Sequence, residues 1–159
     1  MEMNYNEILE WQCQVYPFLL IDHADEVIPG KSAKGYKFLN MNDWFFKYHY
    51  PGDPIVPGMM LVEAIGQMAT LAIVTLPGLK AKRAYLAGGR YLKCYTQVRP
   101  GNVLVIETEI LSYTRGVARC KGFCKVNDET ACDAELTFVV PDILNQYRVK
   151  MNKLEEKIE

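Results

Sequence analysis

His49-Tyr50-Pro51-Gly52-Asp53-Pro54-Ile55-Val56-Pro57-Gly58 runs directly into Met59-Met60-Leu61-Val62-Glu63-Ala64-Ile65-Gly66-Gln67-Met68-Ala69-Thr70-Leu71-Ala72-Ile73-Val74. A proline-stiffened loop with one histidine thus feeds an almost wholly apolar stretch with one acid. No other charged residue stands between Pro54 and Leu79. The ionised form of a carboxylate is costly in such poorly hydrated surroundings, which suits Glu63 to hand over a proton. The pattern predicts one helix from about Gly58 to Leu76, stopped by Pro77-Gly78. A helix apolar around nearly its full circumference is not satisfied by one sheet face. The expectation is that a second surface, from a second subunit, covers its other side.

Working outward, four extended segments follow the helix: Arg83 to Tyr95, Val103 to Leu111, Gly116 to Val126 and Thr130 to Val140. Their connectors are short and turn-rich, and Val103, Val105, Glu107 and Glu109 alternate with Leu104, Ile106, Thr108 and Ile110. The segments read as an antiparallel meander against which the helix packs. Upstream, Asn6 to Cys13 reads as a short amphipathic helix with a cap at Asn4 or Asn6, and Val15 to Ile21 reads as a strand. Pro29-Gly30-Lys31 has turn chemistry that returns Ser32 to Leu39 as a paired strand. The fold class is α+β, with residues 1–140 as a single domain. Residues 141–159 form a tail with Ile143, Tyr147, Met151, Leu154 and Ile158 at helical spacing, a short surface helix or a frayed end.

Composition excludes several classes. Eighteen basic and nineteen acidic residues leave a net charge of −1, so there is no bulk electrostatic case for nucleic acid or membrane binding. The apolar run from Ile55 to Leu79 holds Glu63, Gln67, three glycines and two prolines, which argues for a buried core helix over a membrane span. Met1 to Glu7 lacks the basic-then-apolar order of a secretory signal, and five cysteines without a Cys-x-x-Cys pair favour neither a disulfide framework nor a zinc site. Cys120 and Cys124 share a strand face as small fillers. The expected location is the cytoplasm.

His49-Tyr50-Pro51-Gly52-x-Pro54-x-x-Pro57-Gly58-x-x-x-x-Glu63 resembles the active-site signature of hot-dog-fold 3-hydroxyacyl-acyl-carrier-protein dehydratases of the FabZ type. The likeness extends more weakly from Tyr16 to Val140 in the order strand, loop, helix, strands. The resemblance implies a hot-dog fold, a sheet wrapped around a central helix, paired into a homodimer and commonly into a trimer of dimers. It implies dehydration of a 3-hydroxyacyl thioester to the trans-2-enoyl thioester, with the substrate on the phosphopantetheine of acyl carrier protein. Two departures stand out: Tyr48 occupies a position where the family usually has glycine, and Gly88-Gly89-Arg90-Tyr91-Leu92-Lys93-Cys94 is unlike the usual strand. Asp53 matches the loop of isomerising relatives, whereas Glu63 favours the non-isomerising class.

By this analogy His49 is the base that takes the C2 proton, and Glu63 serves the departing hydroxyl as acid or through an ordered water. Gly58 offers its N–H at the helix start to the thioester oxygen, and Pro51, Pro54 and Pro57 restrict the loop. His49 and Glu63 are fourteen residues apart, about 21 Å if helical, so either the loop folds back or two subunits share the site. Gln67, one turn after Glu63, is placed to orient its carboxyl group or to serve as an interfacial polar group. Tyr85 resembles a gating tyrosine beside the substrate tunnel. Met59, Met60 and Met68 read as core filler and His23 as structural or solvent-facing. Lys80, Lys82, Arg83, Arg90, Lys93 and Arg99, or Arg115, Arg119 and Lys121, are sources of a surface for an acidic carrier. No cofactor or metal is expected. The rival readings are a hot-dog acyl thioesterase and a non-catalytic acyl-binding module.

Overall fold

The computed structural model describes the backbone of residues 1–155 and the side chains of residues 1–148. The helical spacing read at Met151 and Leu154 falls beyond the described side chains, and Ile158 lies outside the described residues. In chain order the elements are α1 (Tyr5–Trp11), β1 (His23–Ile28), β2 (Ser32–Phe38), α2 (Trp44–Tyr48), α3 (Gly58–Val74), β3 (Tyr85–Cys94), β4 (Val103–Thr114), β5 (Val117–Val126), β6 (Glu129–Val139) and α4 (Pro141–Glu155). Six strands form one antiparallel sheet in the order β1-β2-β4-β5-β6-β3, and α3 lies on one face of it. This is the hot-dog arrangement. Of the described helices, none is long and apolar enough to cross a membrane.

Local chemistry explains the hairpins. Arg115 and Gly116 joining β4 to β5, and Asn127 and Asp128 joining β5 to β6, all take positive φ, the geometry that two-residue turns need to match strand twist. Alternation along β4 buries Leu104, Ile106 and Thr108 beneath α3, while Cys120 and Cys124 of β5 face the same core. Close approach of helix and sheet depends on missing side chains. A Cβ on Gly122 would come within 2.6 Å of Ile65, and one on Gly35 within 2.9 Å of Met68. At the amino terminus Asn4 and Glu7 form a reciprocal capping box, which sets the start of α1 and typically contributes about 1 kcal/mol.

Four expectations are corrected. Val15 to Ile21 is not a strand: Phe18 and Leu19 both turn back to the Val15 carbonyl, and Leu19 to Ile21 pack into the core as irregular chain. The four segments after the helix are not a simple meander, because β3 pairs with β6 and β4 pairs with β2. Sequence adjacency does not determine which non-local strands meet. Met59 is not core filler; it is 62 % exposed, whereas Met68 is buried. Finally, the far side of α3 needs no second subunit. Every residue from Leu61 to Val74 other than Glu63 is buried within one chain, since α1 and the irregular segment after it lie over the helix. The surface left open is β3, exposed along its whole length.

Candidate active site

His49 is the residue that ends α2, and its amide N–H closes the last turn on the Phe45 carbonyl at 2.8 Å. Phe45 and Phe46 are buried, so the short helix is anchored by packing although only five residues long. Tyr50 and Gly52 then take positive φ, folding the loop tightly, and the Asp53 amide bonds back to the Tyr50 carbonyl. The loop is tied to the β3–β4 connector at two points: the Val56 N–H donates to the Val98 carbonyl at 2.8 Å, and Arg99 donates to Asp53 at 2.6 Å. These ties hold the imidazole.

The ring itself is set by one bond. His49 Nδ1 lies 3.1 Å from the Ile55 carbonyl oxygen, which only accepts, so Nδ1 carries the hydrogen. In the neutral ring Nε2 is left with a free lone pair, the form in which imidazole acts as a base.

Glu63 is held from the opposite direction. Gln67, 1 % exposed, donates from Nε2 to Glu63 Oε1 at 2.9 Å and to the Phe18 carbonyl at 2.9 Å, while its Oε1 accepts the Leu20 N–H at 2.7 Å. The amide thus fixes both itself and one carboxyl oxygen of Glu63. A proton on the neutral acid belongs on Oε2, because Oε1 is already accepting. The irregular segment 15–21, read from sequence as a strand, supplies the groups that fix Gln67.

Gly58 is the first residue of α3 behind Pro57, which has no N–H and gives no side-chain cap. The first amides of a helix have no acceptor in a preceding turn. A Cβ at Gly58 would meet Cys94 Sγ at 3.1 Å, so glycine keeps the approach to that amide open. Burial and the neighbouring Cys132 push the Cys94 thiol up to about 11, which keeps a negative thiolate away from the helix start at neutral pH.

The structure joins Glu63 to Gln67 by a hydrogen bond. No hydrogen bond or ion pair among the described residues joins His49 to Glu63. Tyr85, 53 % exposed, starts β3 and lies beside Thr70 and Val74 in the second half of α3, away from the His49 loop. His23 lies 3.1 Å from Glu2 and stacks on Tyr36, a structural setting. Among the basic residues, Lys80, Lys82, Arg99, Arg119 and Lys121 each sit within ion-pair distance of a carboxylate. Sequence reading missed Ile55 as the partner of the imidazole and Gln12 as a second buried amide at Gln67. The first is a backbone contact without a residue signature, and the second joins positions 55 residues apart.

A FabA-like domain model matches residues 13–135. The chain is 36 % identical over 140 residues to the 3-hydroxyacyl-[acyl-carrier-protein] dehydratase FabZ of Enterococcus faecalis, covering 88 % of this chain and 99 % of that one. It is 39 % identical to the FabZ of Clostridium acetobutylicum, with the same two shares. Among solved structures, the dehydratase heterocomplex ApeI:P from Xenorhabdus doucetiae superposes with a TM-score of 0.74 at 16 % identity, covering 88 % of this chain and 95 % of that one. A hypothetical thioesterase protein with coenzyme A from Streptococcus pneumoniae superposes at 0.58 and 13 % identity, over 74 % and 83 %. The two structures share the fold. On the extent of the sequence match, this chain belongs to the FabA-like family.

Proposed function

We infer that this protein removes water from a 3-hydroxyacyl thioester carried on acyl carrier protein and yields the trans-2-enoyl thioester. Supporting the reading is identity of 36 % to 40 % with FabZ dehydratases across most of their length. His49 Nε2 takes the C2 proton while Glu63 Oε2 delivers a proton to the C3 hydroxyl. The C3–O bond breaks, water leaves, and the C2–H electrons become the C2=C3 double bond. Negative charge gathering on the thioester oxygen meets the Gly58 N–H and the positive end of α3. His49 has gained one proton and Glu63 has lost one, so exchange with water restores both without net change. Proton transfer suffices, and the proposal includes neither cofactor nor metal.

The site is shared between two copies. β3 pairs along its open edge with β3 of a second molecule, which brings His49 of one chain to Glu63 of the other. The exposed length of β3 supports this arrangement, as do the different partners that His49 and Glu63 have within one chain, the Ile55 carbonyl and Gln67. Acyl carrier protein approaches a basic rim near Arg83 and Arg90, and the enzyme works in the cytoplasm, where its free cysteines stay reduced.

Mixing tests both halves of the proposal. His49→Ala and Glu63→Gln homodimers are each expected to lose about 10²- to 10⁴-fold in kcat. After subunit exchange the mixture recovers to about one quarter of wild type, because half the dimers are mixed and each holds one intact site. No recovery would rule out a shared site. Turnover of crotonyl and 3-hydroxybutyryl thioesters without release of free thiol separates a dehydratase from a thioesterase, which the sequence relatives do not favour. Light scattering on the same samples reads the dimer and any trimer of dimers.

A further inference from the structure

The imidazole of His49 is held at one ring atom by the 3.1 Å bond from Nδ1 to the Ile55 carbonyl. A single bond fixes one point of a flat ring and leaves its tilt open. A second contact comes from Tyr50, whose ring centroid lies 4.2 Å from that of the imidazole with 48° between the planes. That is closer than the separation of about 4.5–7 Å usual for an aromatic pair, so the two rings touch. The phenol hydroxyl has no hydrogen-bond partner among the described residues, which leaves the ring as the working part of the side chain.

This contact is costly to build. Successive side chains of an extended chain point to opposite sides. His49 is extended, at φ −94° and ψ 106°, but Tyr50 takes φ 52°, in the left-handed region that bulky residues rarely occupy. The left-handed step ends the alternation, and the Tyr50 ring rests on its neighbour. Gly52, two residues on, takes φ 95° with nothing within 4 Å of where a Cβ would stand. Glycine thus serves the loop where only backbone matters, whereas Tyr50 keeps a side chain in a conformation that glycine adopts freely. Core packing does not account for that choice, since Tyr50 is 61 % exposed while Phe45 and Phe46 are buried.

We propose that Tyr50 is a positioning residue: its ring sets the tilt of the His49 imidazole, so that Nε2 keeps one direction toward the C2 proton. The inference rests on the dehydratase reading and adds a residue to its machinery. A base held in one orientation is seldom out of line with the proton it takes, and a misplacement of about 1 Å can cost about 10²-fold in rate.

The test compares Tyr50→Gly, Tyr50→Asn and Tyr50→Phe with the wild type, using a 3-hydroxybutyryl pantetheine thioester. Tyr50→Gly removes the ring, so kcat is expected to fall about ten- to hundredfold with KM little changed. Its thermal midpoint should hold or rise, because glycine takes the left-handed step without strain. Asparagine tolerates the same backbone and should lose as much activity, whereas Tyr50→Phe should restore the wild-type rate. Unchanged kcat in the glycine variant overturns the inference, as does Tyr50→Phe as slow as Tyr50→Gly. So does a rise in KM alone, the mark of a substrate wall, or a midpoint that falls in step with kcat, the mark of a structural residue. Nuclear Overhauser transfer between the ring protons of Tyr50 and His49 reads the contact without turnover, and His23→Gln tells the chain's two histidines apart. Absence of that transfer in the wild type overturns the inference and leaves the dehydratase reading in place. Failure of the wild type to interconvert crotonyl and 3-hydroxybutyryl thioesters, with the transfer present, removes that reading and the positioning role with it.

Discussion

β1 and β3 stand at opposite edges of one sheet and finish it in different ways. β1 has six residues, a register shift between Ala24 and Glu26, and exposed acids at Asp25 and Glu26. Its outer side is already occupied: Met3 bridges to Ala24 through bonds of 2.8 and 2.9 Å, and the Met1 ammonium donates to the Val27 carbonyl at 2.7 Å. β3 has ten residues, all exposed, with Leu86, Tyr91 and Leu92 each about half exposed. Among the described residues nothing pairs its outer edge. Short, bulged, charged and covered edges resist further pairing, whereas a long apolar edge invites it. One edge is closed by its own chain, and among the described residues the other is open.

Breaking the open edge carries the largest expected effect. Leu86→Glu with Leu92→Glu places charge along β3 and, on the proposal that each site takes its imidazole and its carboxyl from different copies, should yield monomers by light scattering with kcat lower by about 10³-fold or more. Ile28→Glu on β1 is the matched control and should leave dimer and turnover intact. Equal effects at the two edges would remove the distinction between them. Met3→Ala probes the closed edge from inside: Met3 is 2 % exposed, and its truncation should cost about 2–5 kcal/mol in denaturant unfolding without altering the assembly.

Smaller effects sharpen the picture at the site. Gln67→Leu strands the Leu20 N–H and releases Glu63, so stability should fall by about 1–3 kcal/mol. Turnover should fall about tenfold, with more loss in kcat than in KM, since a positioning group acts on the reacting geometry. Arg99→Ala unties an exposed ion pair to Asp53 and should change stability by no more than about 1 kcal/mol. Its signature is a modest fall in kcat as the His49 loop loosens. If Arg99→Ala cost more than Gln67→Leu, the loop tie and not the buried amide would dominate the site.

Much of this was legible in the sequence wherever the signal was local. The loop from His49 to Gly58, the helix it feeds and the single acid in it were readable, since proline, glycine and apolar runs act through neighbouring backbone. Strands β4, β5 and β6 were legible for the same reason, from period-two alternation and turn chemistry. α2 went unread, because five residues carry too little periodicity to register and the segment is held by burial of Phe45 and Phe46. The segment from Val15 to Ile21 misled, because apolar residues destined for the core look alike in strand and in irregular chain.

The sequence by itself determined the chemical groups, their order and the helix that carries the acid. Tertiary structure decided that β3 pairs with β6, that α1 and the chain after it cover α3, and that Gln67 receives partners from 47 to 55 positions away. The physical reason is range. Backbone preferences and periodicity act over a few residues, whereas strand partnership, burial and the orientation of a carboxyl group depend on which distant surfaces meet when water is expelled.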